Sequence, residues 1–158
     1  MPQLISREAA LAALEQTTET ASCLVCNLLE QHSTRVLHRG MYATVLLSAY
    51  PRFWGQTMIC LHRHVEKFEE VQAAEWEEAS KLTLHYAKKL EAALEPARVY
   101  VAALGSVQPL LHTCPHLHVN LLPVYDVSLK PADVFTWVNG VYTGTEAEWE
   151  QLASQLEH

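Results

Sequence analysis

The run Cys114-Pro115-His116-Leu117-His118-Val119-Asn120-Leu121-Leu122-Pro123 alternates polar with apolar residues, the pattern of a half-buried strand. Successive side chains of a strand point to opposite faces, so His116, His118 and Asn120 share one face and Leu117, Val119 and Leu121 the other. The apolar face needs a core. The opposite face sets two imidazoles and an amide about 6–7 Å apart, and such groups gain little from an apolar interior. The row is suited to a site.

At 158 residues and 49% hydrophobic content, the chain is long enough for one well-buried core and short for two, which predicts a single domain over 1–158. The formal charge of −7 argues against sequence-independent binding to nucleic-acid backbones, which comes mainly from excess Lys and Arg. A small phosphorylated ligand held by local donors is compatible with it. The apolar run around Tyr42–Leu47 falls far short of the 18 or more residues of a membrane span, and Met1–Leu11 lacks a basic region followed by an apolar stretch. A soluble, cytoplasmic protein without membrane partners is expected. Leu156-Glu157-His158 resembles the start of a purification tag, so His158 is assigned no role.

Ser6 can cap a helix over 6–16, rich in Ala and Leu. Strand-like segments follow at Val36–His38, Tyr42–Ser48 and Gln56–Leu61, separated by Arg39-Gly40 and by Tyr50-Pro51 with Gly55, and they predict an antiparallel meander. From Val71 to Leu94 the apolar residues Ala79, Leu82, Tyr86, Leu90 and Ala93 recur at three- and four-residue steps before Pro96, which predicts the main helix. Arg98–Leu104 reads as a strand ending at Gly105-Ser106, and Leu117–Leu122 as the strand of the histidine row. The tail predicts a strand pair around Thr136–Tyr142 turning at Asn139-Gly140, then a helix opened by the capping box Thr145-Glu146-Ala147-Glu148.

Four cysteines in such a chain are more often ligands or core residues than disulfides. Cys23 and Cys26 form a C-x-x-C pair. With His64 and His116 they make a Cys2His2 set of the kind tetrahedral Zn²⁺ prefers, and with all four positions taken the metal would be structural. Against this stands a reading of both cysteines as small buried hydrophobes, and His62 is a rival ligand because Cys60, His62 and His64 would share a strand face. His118 is then left beside the metal, as a nucleophile whose second ring nitrogen can donate to a backbone carbonyl. Cys114 reads as a core cysteine.

These residues resemble the histidine triad (HIT) superfamily. Pro115 to Pro123 is similar to its His-x-His-x-His signature, with Asn120 in place of the third histidine. Ser48-Ala49-Tyr50-Pro51, Gly55-Gln56 and Cys60-Leu61-His62-Arg63-His64 resemble its Asp-x-x-Pro, Gly-His and Pro-Lys-x-His elements, and Cys23 and Cys26 stand where zinc-bearing members have theirs. The resemblance covers about residues 21–125, with the 6–16 helix and a C-terminal extension over 126–158 outside it. It implies an α+β fold with an antiparallel sheet of about five strands and one long helix, paired into a homodimer. It also implies a nucleotide hydrolase or nucleotidyltransferase acting on a nucleotide or nucleotide conjugate, in which His118 attacks the α-phosphorus to form a nucleotidyl-histidine. Structural Zn²⁺ would sit on Cys23, Cys26, His64 and His116, and Asn120, Thr113, His112, Gln56, Ser48 and Ser106 would line the substrate.

The departures carry chemistry of their own. Asn120 can donate to a phosphate oxygen but cannot exchange a proton with a leaving group, which biases the site away from simple hydrolysis. Ser48 is a poorer partner for ribose hydroxyls than the family's acid, Gln56 replaces a histidine, and Leu111-His112 replaces a Gly-Gln pair. These changes define an alternative: a catalytically weakened nucleotide-binding or interaction module on a zinc-stabilised HIT scaffold. Arg35, Arg39, Arg52 and Arg63 are the candidate phosphate cations, of which at most one is expected to point inward. Glu75, Glu77, Glu78 and Lys81 read as a solvated helix face. Trp137, Val141 and Tyr142 read as core, with a partner surface as the alternative.

Overall fold

Every residue of strands β3 (Ala43–Leu47) and β4 (Thr57–Leu61) is buried, so the sheet that contains them must be covered on both sides. The computed structural model describes residues 1–18, 23–31, 33–105 and 115–157. Ser106, Leu111, His112, Thr113 and Cys114 lie outside them. The sheet is five-stranded and antiparallel, in the order β2 (Val36–Arg39), β3, β4, β6 (His118–Val124), β5 (Arg98–Ala102). The expected meander is its first half, and the strand of the histidine row is inserted between β4 and β5.

Strand alternation sorts the side chains into two layers. Ala43, Val45, Leu47, Ile59, Leu61, Val119 and Leu121 face α3 (Ala73–Leu94) and α5 (Glu146–Glu157), whose Tyr86, Leu90, Trp149, Leu152 and Leu156 complete the main core. Leu46, Met58 and Cys60 face the other way and pack on Val25 of α2 (Leu24–Glu30). Helix α3 is built from Ala, Leu, Lys and Glu, which are strong helix formers. It ends at Glu95 in the left-handed region (φ 47°) just before Pro96, which cannot continue a helix.

The expected solvated face of α3 divides. Glu77 pairs with Lys81 at 2.6 Å on the surface, but Glu75 is only 4% exposed and bound to Arg63. Glu78 accepts from the backbone N–H groups of Tyr42 and Ala43, satisfying donors at the head of β3. Both carboxylates stitch helix to sheet, because the chain before β3 and after β4 lies within their reach.

The tail also departs from expectation. Thr136–Tyr142 is not a hairpin: Pro131–Val134 is a short helix, α4, and Val141–Thr143 is a strand, β7, paired antiparallel with β1 (Gln3–Ile5). Asn139-Gly140 turns the chain into β7 rather than joining two strands. Gly140 has φ +86°, and a Cβ there would run into the carbonyl oxygen of Ile5. Trp137 and Val141 are buried with Ala10 and Leu14 of α1 (Arg7–Thr18), as core and not as partner surface. The terminal segments thus bury each other. Gly140→Ala is expected to destabilise the protein by about 1–3 kcal/mol through backbone strain and loss of β1 pairing; an unchanged melting temperature would refute the close approach.

Candidate functional site

Cys23 precedes α2, and its Sγ accepts from the Cys26 N–H at 3.4 Å as the helix cap. Burial pushes the Cys23 thiol up in pKa, but hydrogen bonds from the Cys26 backbone and side chain, from His64 and from the Val25 backbone outweigh it, and the net shift is downward. A helix N-terminus favours thiolate for the same reason it favours any anion. His64 lies just beyond β4, and His116 just before β6. The ligand atoms of Cys23, Cys26, His64 and His116 all fall within 4.8 Å of one another.

Three sulfur–nitrogen separations test this cluster against a metal: Cys23 Sγ to His116 Nδ1 at 3.5 Å, Cys26 Sγ to His116 Nδ1 at 3.4 Å, and Cys26 Sγ to His64 Nδ1 at 3.5 Å. Zn–S and Zn–N bonds of about 2.3 and 2.0–2.1 Å at a tetrahedral angle require an S···N edge of about 3.6 Å. Each imidazole turns Nδ1 inward and Nε2 to an acceptor: His116 to the Leu61 carbonyl at 2.8 Å, His64 to the Glu66 carboxylate at 3.2 Å. This outer hydrogen bonding fixes the tautomer in metal-ligating histidines. The residues fit a zinc ion. His62, the rival ligand, lies against Thr44 Oγ1 at 2.9 Å and is not in the cluster.

His118 opens β6 on the same sheet face as Cys60 and Met58, set there by the pairing of Cys60 with His118 and Met58 with Asn120. Its Nδ1 donates to the His116 carbonyl at 2.7 Å, so the Nε2 lone pair is the free one. Burial lowers its pKa, the backbone bond to His116 opposes that, and the Arg52 charge lowers it further. The ring is therefore neutral near pH 7. It lines a cavity of about 90 Å³ together with the polar residues Ser48, Arg52, Gln56 and Asn120 and an apolar wall that includes Val25, Leu28 and Met58. Leu14 and Trp137, from outside residues 21–125, also line it. This volume is well below the roughly 300–1,000 Å³ of pockets that engulf a drug-sized ligand. It is of a size to admit a phosphoryl head.

Two departures read separately in the sequence meet here. Gln56 Nε2 donates to Asn120 Oδ1 at 3.1 Å, and Gln56 Oε1 accepts from the Arg52 N–H at 2.8 Å. Both amides are buried, each 3% exposed. With its carbonyl occupied, Asn120 has its NH₂ group left to offer.

The overall fold is shared with solved proteins. The chain resembles a hypothetical histidine triad nucleotide-binding protein from Sulfolobus tokodaii strain7, with a TM-score of 0.65 at 18% identity over 85% of this chain and 89% of that one. The fold is that of histidine triad proteins. A Zn-bound histidine triad family protein from Mycobacterium smegmatis superposes with a TM-score of 0.61 at 14% identity, covering 85% of this chain and 93% of that one. A diadenosine triphosphate hydrolase from Plasmodium falciparum, in complex with Cyclomarin A, does so at 0.58 and 11% identity over 94% and 92%. No family model matches the sequence, and no curated protein does. No helix among the described residues is long and apolar enough to cross a membrane.

Arg52 is the residue that sequence reasoning did not separate from its rivals. Arg35 lies over the Trp149 ring, Arg39 donates to the carbonyls of Leu29 and Gln31, and Arg63 pairs with Glu75. Only Arg52 among these four lines the cavity. No spacing signal distinguishes it. Ser106, His112 and Thr113, expected at the site, lie outside the described residues. The metal reading gives a direct test: purified protein should carry one zinc per chain, and Cys26→Ala and His116→Ala should lose it and melt lower, while His62→Ala keeps it. Metal-free wild type of undiminished stability would return the cysteines to the role of plain core residues.

Proposed function

We propose that this protein is a nucleotide hydrolase or nucleotidyltransferase working through a covalent intermediate on His118. The single observation that carries the reading is the Nδ1 hydrogen bond of His118 to the His116 carbonyl, which leaves a neutral imidazole with its Nε2 lone pair at a cavity holding a guanidinium and two amides. Solved proteins of the same fold include a nucleotide-binding protein and a diadenosine triphosphate hydrolase, which supports the substrate class. Zinc on Cys23, Cys26, His64 and His116 would act as a structural tie.

The residues assign themselves roles in sequence. His118 Nε2 forms a bond to the α-phosphorus as the bond from phosphorus to the leaving group breaks, and that bond's electron pair departs with the leaving atom. Water or an acceptor hydroxyl then adds to phosphorus, gives its proton to solvent, and returns the electron pair to Nε2. Asn120 holds a phosphoryl oxygen through its NH₂ group but brings no proton. Leaving groups that depart as stable anions are therefore favoured. A phosphate, with a second pKa of about 6, leaves unprotonated near neutrality, whereas an amine or alkoxide needs a proton. Nucleotide anhydrides are the preferred substrates on this reading.

The small cavity, lined also by Leu14 and Trp137, favours one alternative: a catalytically weakened binding or interaction module on the same scaffold. Incubation with an anhydride labelled at the α-phosphorus separates the two. Label is expected on wild type and not on His118→Ala, and equal labelling of both would remove His118 from the chemistry. Asn120→His should raise turnover of a nucleotidyl phosphoramidate, whose amine needs the proton, by at least about tenfold, within the range of general acid catalysis. No gain from that variant would place the limitation in the pocket and not at its third position.

A further inference from the structure

A charge taken out of water is costly unless a partner replaces the lost hydration. Arg52 carries such a charge. It is half-buried, no salt bridge engages it among the described residues, and its Nε is buried without a hydrogen-bond partner. Burial alone lowers its pKa to about 10, which leaves it charged at neutral pH. Its backbone is fixed on two sides: its own N–H donates to Gln56 Oε1 at 2.8 Å, and the carbonyl of Pro51 before it accepts from the Tyr142 N–H of β7 at 2.8 Å. The side chain lines the same cavity as the His118 ring and the Asn120 amide. A fixed cation facing a small, partly apolar cavity in an acidic chain lacks an anion.

We propose that Arg52 is the anion-binding residue of this cavity, holding the phosphoryl oxygens of a phosphate-bearing ligand opposite His118. A guanidinium offers paired N–H donors in a fork that matches two phosphoryl oxygens, and the Asn120 NH₂ group adds a neutral donor. The volume of about 90 Å³ around Arg52 suits the phosphoryl head, so the phosphate is the part of the ligand that this residue recognises. The inference rests on the phosphoryl-transfer reading for the identity of its ligand, but not on His118 forming a covalent bond.

Binding of AMP, adenosine and inorganic phosphate, measured by calorimetry on the zinc-loaded full chain, tests it. Wild type should bind AMP and, more weakly, phosphate. Arg52→Met should weaken AMP binding at least tenfold, and Arg52→Lys should weaken it less, because a lysine keeps the charge and loses the fork. Adenosine binding, which engages no phosphate, should not change in either variant. His118→Ala should retain Arg52-dependent AMP binding. If Arg52→Met unfolds, Arg52→Lys supplies the comparison, with AMP weakened and adenosine unaffected. AMP affinity unchanged by the substitutions, equal losses for AMP and adenosine, or no binding of AMP and phosphate by wild type would each overturn the proposal. Arg52-dependent AMP binding in a protein that never labels His118 would uphold the anion site and overturn the covalent reading instead.

Discussion

Four contacts made by one residue, His116, hold the arrangement on which the site depends. Its ring is wholly buried, its Nε2 donates to the Leu61 carbonyl at the end of β4, its Nδ1 meets both cysteine sulfurs, and its own carbonyl receives the Nδ1–H of His118. Helix α2, strand β4 and strand β6 are thus tied at a single imidazole. Burial lowers the pKa of that ring, with the Leu61 bond opposing the shift, so it is neutral, as a metal ligand must be. Removing it would free the sulfurs, unfix the tautomer of His118 and leave the Leu61 carbonyl without its donor. The orientation of the His118 ring and the integrity of the cluster are one mechanical problem, and His116 solves both.

The Gln56–Asn120 pair follows a different logic. Two imidazoles at these positions would trade protons with ligands and with each other; two amides can only hold each other still. Their hydrogen bond joins residues 64 apart in sequence, and the register of β4 against β6 brings them together. The pair gives the pocket a fixed dipole and gives up acid–base chemistry. On the proposed chemistry, that exchange would matter most for the leaving group, which would have to depart without a proton from this position.

Much of this could be read from the chain because it is periodic. The strand of the histidine row, the division of its faces and the long helix each follow from a repeat of two or of about 3.6 residues, and the structure has them all. The Cys2His2 cluster was legible from residue type, since thiols and imidazoles in such numbers have few other uses together. What escaped the sequence depends on contacts between distant segments. Nothing local marks Gln3–Ile5 as the partner of Val141–Thr143, because a three-residue strand carries too little pattern. The burial of Glu75 and the backbone bonds of Glu78 arise from where α3 lies on the sheet, and a charge pattern on the helix alone reads as solvated. Arg52 looks like any loop arginine until the other three are seen to be engaged.

The terminal segments have a physical role that the central motifs do not suggest. The loop between β3 and β4, which carries Arg52, is held through Pro51 by β7, through the Tyr50–Trp137 ring contact at 5.9 Å, and through Trp54 stacked on Trp149 of α5 at 4.3 Å. Tyr125 adds a bond to the Trp54 carbonyl at 2.8 Å. A loop that presents a guanidinium without a salt bridge among the described residues to a partly apolar cavity would otherwise swing it toward water, where its hydration is recovered. Fixing the loop from outside prevents that relaxation and keeps the charge where an anion can use it. The terminal segments therefore line the cavity with Leu14 and Trp137 and hold the loop that carries its cation, and the two effects act together, since a small cavity gives a fixed charge fewer waters to compete with.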